Sequence, residues 1–220
     1  MDRFDVTDTN RVRRLPERGH YDRATAYAVL DAAPLCHVSF AMDGRPAIIP
    51  TLHARWGDRL LLHGSSASRL LRHLGAGHEV CVGVTVLDGL VLARSLFHTS
   101  MNYRSVVLFG RGTLLTEAEE RLAALEVLSE KMMPGRWAEA RRPNPQELKA
   151  TAIAAIPITL ASVKIRAGGP KDDPADLAMA VWAGVIPLAV AAGTPEPDAA
   201  LAPGIPVPGY VETWRRERSA

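Results

Sequence analysis

Apolar positions switch several times between a period of two and a helical period, and the switches divide the chain into elements. Residues 1–20 are charged and aperiodic, and read as an arm. From Tyr21 to Ala33, the residues Ala24, Tyr27, Ala28 and Leu30 recur at helical spacing, which predicts a short amphipathic helix closed by Pro34. Leu35 to Ala41 is rich in strand formers, and Asp43-Gly44 behind it is a hairpin signal. Strands over Pro46 to Ala54 and Arg59 to His63, separated by Gly57-Asp58, complete an antiparallel meander. Ser65-Ser66-Ala67-Ser68 then opens a helix with Leu70, Leu71 and Leu74 on one side, ended by Gly75-Ala76-Gly77. Three further strands are predicted over Glu79 to Val86, Leu90 to Ser95 and Arg104 to Leu115, with Leu96 to Tyr103 as an exposed connection. Thr116 is the expected N-cap of an amphipathic helix over Glu117 to Met132. After a Pro/Gly/Arg-rich loop comes a strand over Ala152 to Val163, and from Gly168 a Pro/Gly-rich tail with one apolar island at Trp182. Six or seven antiparallel strands with inserted helices predict an α+β, barrel-like domain over 21–166. The arm 1–20 precedes it, and the tail 167–220 is expected to pack on the barrel or on a partner subunit.

Composition narrows the class. The chain has 220 residues, 47% apolar and 23% charged, enough for one domain with a core and a small appendage. A formal charge of +2, with bases scattered among acids, argues against a nucleic-acid partner. The most apolar late stretch, Met179 to Ala192, is interrupted by Gly184 and Pro187 and is too short to span a membrane. The start, Met1-Asp2-Arg3-Phe4-Asp5, is polar where a signal peptide needs an apolar region. Cys36 and Cys81 lie in apolar runs and read as buried thiols, so a cytoplasmic location is expected.

The densest chemistry lies in His63-Gly64-Ser65-Ser66-Ala67-Ser68-Arg69, at a strand-to-helix junction. A helix start offers unpaired N–H groups and partial positive charge, and Arg69 adds a fixed charge suited to phosphate. Plain serine capping beside a solvated arginine is the alternative. Seven histidines raise the question of a metal. His53 and His63 lie on neighbouring strands, with His37 or His98 as further members, yet no pair has metal-motif spacing, and no metal is expected. Nucleophile-elbow, Walker and dinucleotide glycine patterns are absent, which leaves any catalysis to a cofactor. Arg94 and Arg104 stand in a polar stretch that reads as a cofactor wall or a subunit contact, against a simple polar loop. Trp182 either plugs the core or packs on a partner or a ligand ring.

Together these segments resemble the pyridoxamine 5'-phosphate oxidases and their FMN-binding split-barrel relatives, over roughly residues 20 to 190. The stretch from Asp88 to Gly110 is similar to the flavin-nucleotide-binding subgroup related to 5-nitroimidazole-resistance proteins. The resemblance implies that Ser68 and Arg69 hold the FMN phosphate. It implies that Gly64 belongs to the same phosphate segment, that Ile48, Ile49, Pro50, Thr51, His53 and His63 lie about the isoalloxazine ring, that Ser105 touches it, and that Trp182 reaches it across a homodimer. Two departures matter. Ile48 and His53 stand where the oxidases have arginine and lysine, and Val185-Ile186-Pro187-Leu188 replaces their basic tail. Vitamin B6 oxidation loses its phosphate-binding groups, and a small aromatic or nitro-type substrate suits the neutral pocket better. The implied function is an FMN-dependent oxidoreductase acting on an unidentified small molecule, with His53, His63 and His98 as candidate proton donors. The alternatives are a flavin-storing protein without turnover, a haem-binding split barrel, and the deazaflavin F420 in place of FMN.

Overall fold

Period-two alternation builds one long antiparallel sheet, and the helical segments lie in its folds. In the computed structural model the backbone is described for residues 2–219 and side chains as far as Trp214; Met1 and Ala220, at the ends of the arm and the tail, lie outside the described residues. In chain order the elements are β1 (Gly19–His20), α1 (Arg23–Ala32), β2 (Leu35–Met42), β3 (Arg45–Trp56), β4 (Arg59–Ser65) and α2 (Arg69–Gly75). Then come β5 (Glu79–Leu92), β6 (Ser100–Arg111), β7 (Thr113–Leu114), α3 (Ala118–Met132), α4 (Arg136–Glu139) and α5 (Pro145–Ala150). The chain finishes with β8 (Thr151–Pro157), β9 (Leu160–Arg166), β10 (Gly184–Pro187) and α6 (Gly209–Ser219). The strand order is β1-β9-β6-β5-β2-β3-β4-β8-β7, with β10 beside β5.

The class is α+β, but the sheet has ten strands rather than six or seven and does not close. Three causes account for the difference. The expected strand at Leu90 continues β5, because a register shift between Leu87 and Gly89 absorbs one residue without ending the strand. The single strand expected over Ala152 to Val163 is two. Pro157 ends β8, and Ile158, fully buried, donates its N–H to the Asp58 carbonyl at 2.7 Å as the chain crosses to β9. Short strands formed by Gly19–His20, Thr113–Leu114 and Gly184–Pro187 carry too few residues for alternation to reveal them.

Strand parity sorts side chains into two layers. Inward residues of β2, β5, β6 and β9 (Val38, Val82, Leu108 and Val163 among them) form the main core with Ala26, Val29 and Leu30 of α1 and the leucines of α2. A second cluster lies on the other side of β3, β4 and β8, where Ala54, Leu61, Ile153 and Ala155 meet Ala124 and Leu128 of α3. Asp22 caps α1, its carboxylate accepting from the Thr25 N–H at 2.8 Å. Thr116 does not cap α3; Glu117 takes the N-cap position with no side-chain bond, and Thr116 turns its hydroxyl to Glu117. The first twenty residues are integrated: Phe4 is buried in the core, and Asn10 bonds the Asp5 and Ala161 carbonyls at 2.8 and 3.0 Å. Among the described residues no helix is long and apolar enough to cross a membrane.

Candidate functional site

At the end of β4 the chain makes a compact turn into α2. The Ser68 N–H donates to the Ser65 carbonyl at 2.8 Å, and the Ser65 hydroxyl accepts from the Ala67 N–H at 3.2 Å. Ser68 occupies the N-cap, yet its side chain makes no capping bond. Arg69 is exposed, and among the described residues nothing engages its guanidinium. Arg72 instead folds back onto the Ala67 carbonyl and holds the turn. A Cβ at Gly64 would meet open space. The junction therefore presents one free cation, one free hydroxyl and a helix start to whatever lies beside it.

The residues expected around a ring divide between two faces. On β3, Ile48 pairs with Ser39, and Pro50 with His37; His37 in turn pairs with Gly83, and Gly83 with Val107. Thr85 pairs with Ser105 two positions along, so Ile48, Pro50 and Ser105 share the outer face. Ile49, Thr51 and His53 alternate onto the core side, where Ile49 packs against the main cluster. Ile48 is 64% exposed, and Leu35 and Val107 beside it are exposed too. Small residues (Ser39, Gly83, Thr85 and Ser105) give this face a shallow floor.

The two neighbouring histidines have opposite surroundings. His53 is fully buried, and its Nε2–H donates to the Leu30 carbonyl at 3.0 Å. Burial pushes its pKa down to about 4. With no surface to present, it cannot line a ligand or exchange protons with one. His63 faces the α3 side and lines a cavity of about 320 Å³ with Leu52, Leu125, Leu128, Met132, Trp137 and Pro143. Its Nδ1 is buried and makes no hydrogen bond, and burial again holds the imidazole below its usual pKa.

Sequence comparison places these features in a lineage. Residues 22–165 match the model of a protein family described as pyridoxamine 5'-phosphate oxidase. The chain belongs to the pyridoxamine 5'-phosphate oxidase family. Among solved structures, the flavocytochrome Anf3 from Azotobacter vinelandii is 40% identical with a TM-score of 0.89, covering 94% of this chain and 96% of that one. A FAD and haem binding protein from Mycobacterium smegmatis is 38% identical with a TM-score of 0.85, covering 89% of this chain and 96% of its own. A Bacteroides thetaiotaomicron protein assigned by similarity to 5-nitroimidazole antibiotic resistance shares the fold at 18% identity and a TM-score of 0.56, over 66% of this chain and 84% of that one. No curated protein sequence matches the chain.

Within this family member, Arg94 and Arg104 serve the chain itself. Arg104 makes a bidentate pair with Asp88, at 2.9 and 2.7 Å, across the β5 bulge. Asp172 accepts from the Arg94 backbone and side chain at 2.8 and 2.9 Å, and so fastens the tail to the β5–β6 connection. His98 lies 3.3 Å from Asp173 in the same clasp. Trp182 does not plug the core: it is 65% exposed, and its ring lies so close over Gly184 that a Cβ there would meet it at 2.9 Å. Sequence reasoning missed the cavity beside His63, whose roof comes from α3 and the loop behind it. The signal was Trp137, which sits in the short helix α4 between Gly135 and Pro143, in a stretch otherwise rich in arginine. Arg142 stacks on its indole at 4.2 Å, and Glu130 accepts from the Gly135 and Trp137 N–H groups at 2.7 and 3.1 Å.

Proposed function

We propose that this protein is a flavin-binding redox protein of the flavocytochrome kind, carrying a haem as well as the flavin. The observation that carries the reading is the unpaired Ser68–Arg69 junction, in a chain 40% identical over nearly its whole length to a flavocytochrome. Ser68, Arg69 and the open backbone at Gly64 hold the flavin phosphate. Ile48 and Pro50 form the platform for the ring, with Ser105 beside it. The uncovered outer face, with Leu35, Ile48 and Val107 exposed, fits a homodimer in which the partner's exposed Trp182 closes the ring site. The flavin is FMN or FAD, and the Mycobacterium relative makes FAD the form to test first.

The residues present also fit a haem. The cavity beside His63 has apolar walls and one neutral imidazole without a partner. A bound flavin supplies exchange between two-electron and single-electron transfer, and a haem supplies a one-electron iron centre. The chain supplies the binding charge at Arg69, the exclusion of water by Leu52, Leu125 and Leu128, and an imidazole kept neutral by burial. A small molecule is the expected substrate. At β10, Val185 and Ile186 stand where a phosphorylated vitamin would need cations.

The test is titration of flavin-free protein with FMN and with FAD, followed by quenching of flavin fluorescence. Arg69→Ala weakens binding of the preferred flavin by about 1.5–3 kcal/mol, the range for a hydrogen bond to a charged group. Unchanged affinity removes the phosphate assignment. Reduction of the bound flavin by a nicotinamide donor separates a redox protein from a store.

A further inference from the structure

Of the seven histidines, one alone combines a half-buried ring at a cavity wall with no hydrogen bond. His53 is committed to the Leu30 carbonyl. His73 bonds the Glu79 carbonyl at 3.1 Å and sits between Phe40 and His78. His98 faces Asp173, His37 and His78 are exposed, and His20 belongs to the edge strand β1. His63 makes no hydrogen bond, although its Nδ1 has no access to solvent. A buried acceptor left unmade costs about 1–3 kcal/mol; the His53 Nδ1 is unpartnered too, but of the two rings only that of His63 lines a cavity. Neighbouring hydroxyls do not supply a partner, and that of Thr151 is turned to the Glu147 carbonyl at 2.9 Å.

The walls say what kind of partner fits. Apart from His63, the cavity is lined by Leu52, Leu125, Leu128, Ser129, Met132, Trp137, Pro143 and Thr151, with no second histidine, no cysteine and no carboxylate. A bare cation would lack ligands there, since protein metal sites gather three or four. An ion that brings its own equatorial nitrogens needs only an axial imidazole and apolar contact on its faces. Space is available on the same terms. A second, more polar cavity of about 480 Å³, lined by Glu119, Glu126 and Arg142, lies behind Trp137 and Pro143, the two residues common to both. Small-molecule pockets span about 300–1,000 Å³, and both cavities fall within that range.

Resting on the haem reading above, we infer that His63 is the protein ligand of a haem seated between α3 and the β3–β4 sheet, beside Trp137 and Pro143. The partition is specific. His53, one strand away and opposite in parity, takes no part, and the flavin residues at Ser68 and Arg69 lie outside this cavity's lining.

Hemin is titrated into the full-length, haem-free protein, and the Soret region is recorded for the wild type, His63→Gly and His37→Gln. The wild type and His37→Gln give the same histidine-ligated spectrum. His63→Gly loses hemin affinity by more than the roughly 10–100-fold that losing a ligand's mere support costs, and added imidazole restores the spectrum. Circular dichroism and FAD titration of His63→Gly show that the fold and the flavin site persist. Hemin binding by His63→Gly with wild-type affinity and spectrum overturns the assignment, as does failure of imidazole to restore ligation. A wild type that takes up no hemin overturns it together with the haem reading, and leaves the flavin titration to stand or fall separately.

Discussion

Strand parity gives two histidines on adjacent strands different chemistry. His53 pairs with Leu62, whereas Leu52 and His63 lie on the α3 side, so one imidazole enters the core and the other meets a cavity. The consequence for stability is carried by His53. Its folded pKa, about 4, is below the ordinary value of 6.5, so both forms of the chain hold it neutral above about pH 6.5. As pH falls from 6.5 towards 4 the unfolded chain takes up a proton that the native one refuses, and stability drops by about 3 kcal/mol. Denaturant melts at pH 7 and pH 4.5 show this loss, and in His53→Gln the loss over that window is smaller. Equal losses in the two proteins assign it entirely to carboxylates such as Asp22 and Glu147, which are held below their ordinary pKa. Both histidines were visible in the sequence as candidates. What separated them was which alternating set each belongs to: Ala47, Ile49, Thr51 and His53 form one set, Ile48, Pro50 and Leu52 the other.

At the scale of elements, the meander β2–β4 and the helices α1, α2 and α3 were legible because turn residues and a change of period mark their ends. The strands that were misjudged lack such marks. The break expected between Val86 and Leu90 is a bulge inside β5, because β6 remains paired on both sides of it. The arm shows a different failure: its charges hide two buried anchors. Phe4 packs in the core with Arg23 stacked 4.8 Å from its ring, and its N–H donates to the Tyr21 carbonyl at 2.8 Å. Phe4→Ala therefore costs about 3–5 kcal/mol, the range for a buried aromatic cut to alanine. Denaturant unfolding checks this, and a cost below 1 kcal/mol would return the arm to the periphery. The roof over His63 was not legible, because it joins α3 and its following loop to strands some seventy residues earlier. Only the folded chain brings Trp137 beside His63.

For the whole molecule, the open sheet leaves one face exposed and a cavity between α3 and His63, and the two together frame the account. The outer face offers Ile48, Pro50 and Ser105 with the proposed phosphate anchor at Ser68–Arg69, and the cavity offers His63. The proposed function assigns a flavin to the first place and a haem to the second, the two groups named for the Mycobacterium relative. The most direct measurement is the absorption spectrum of the purified protein, with mass analysis of what denaturation releases. Flavin bands together with a Soret band, and release of FAD or FMN with haem, are the expected result. A colourless protein that takes up neither added flavin nor hemin would contradict the account and leave only the fold.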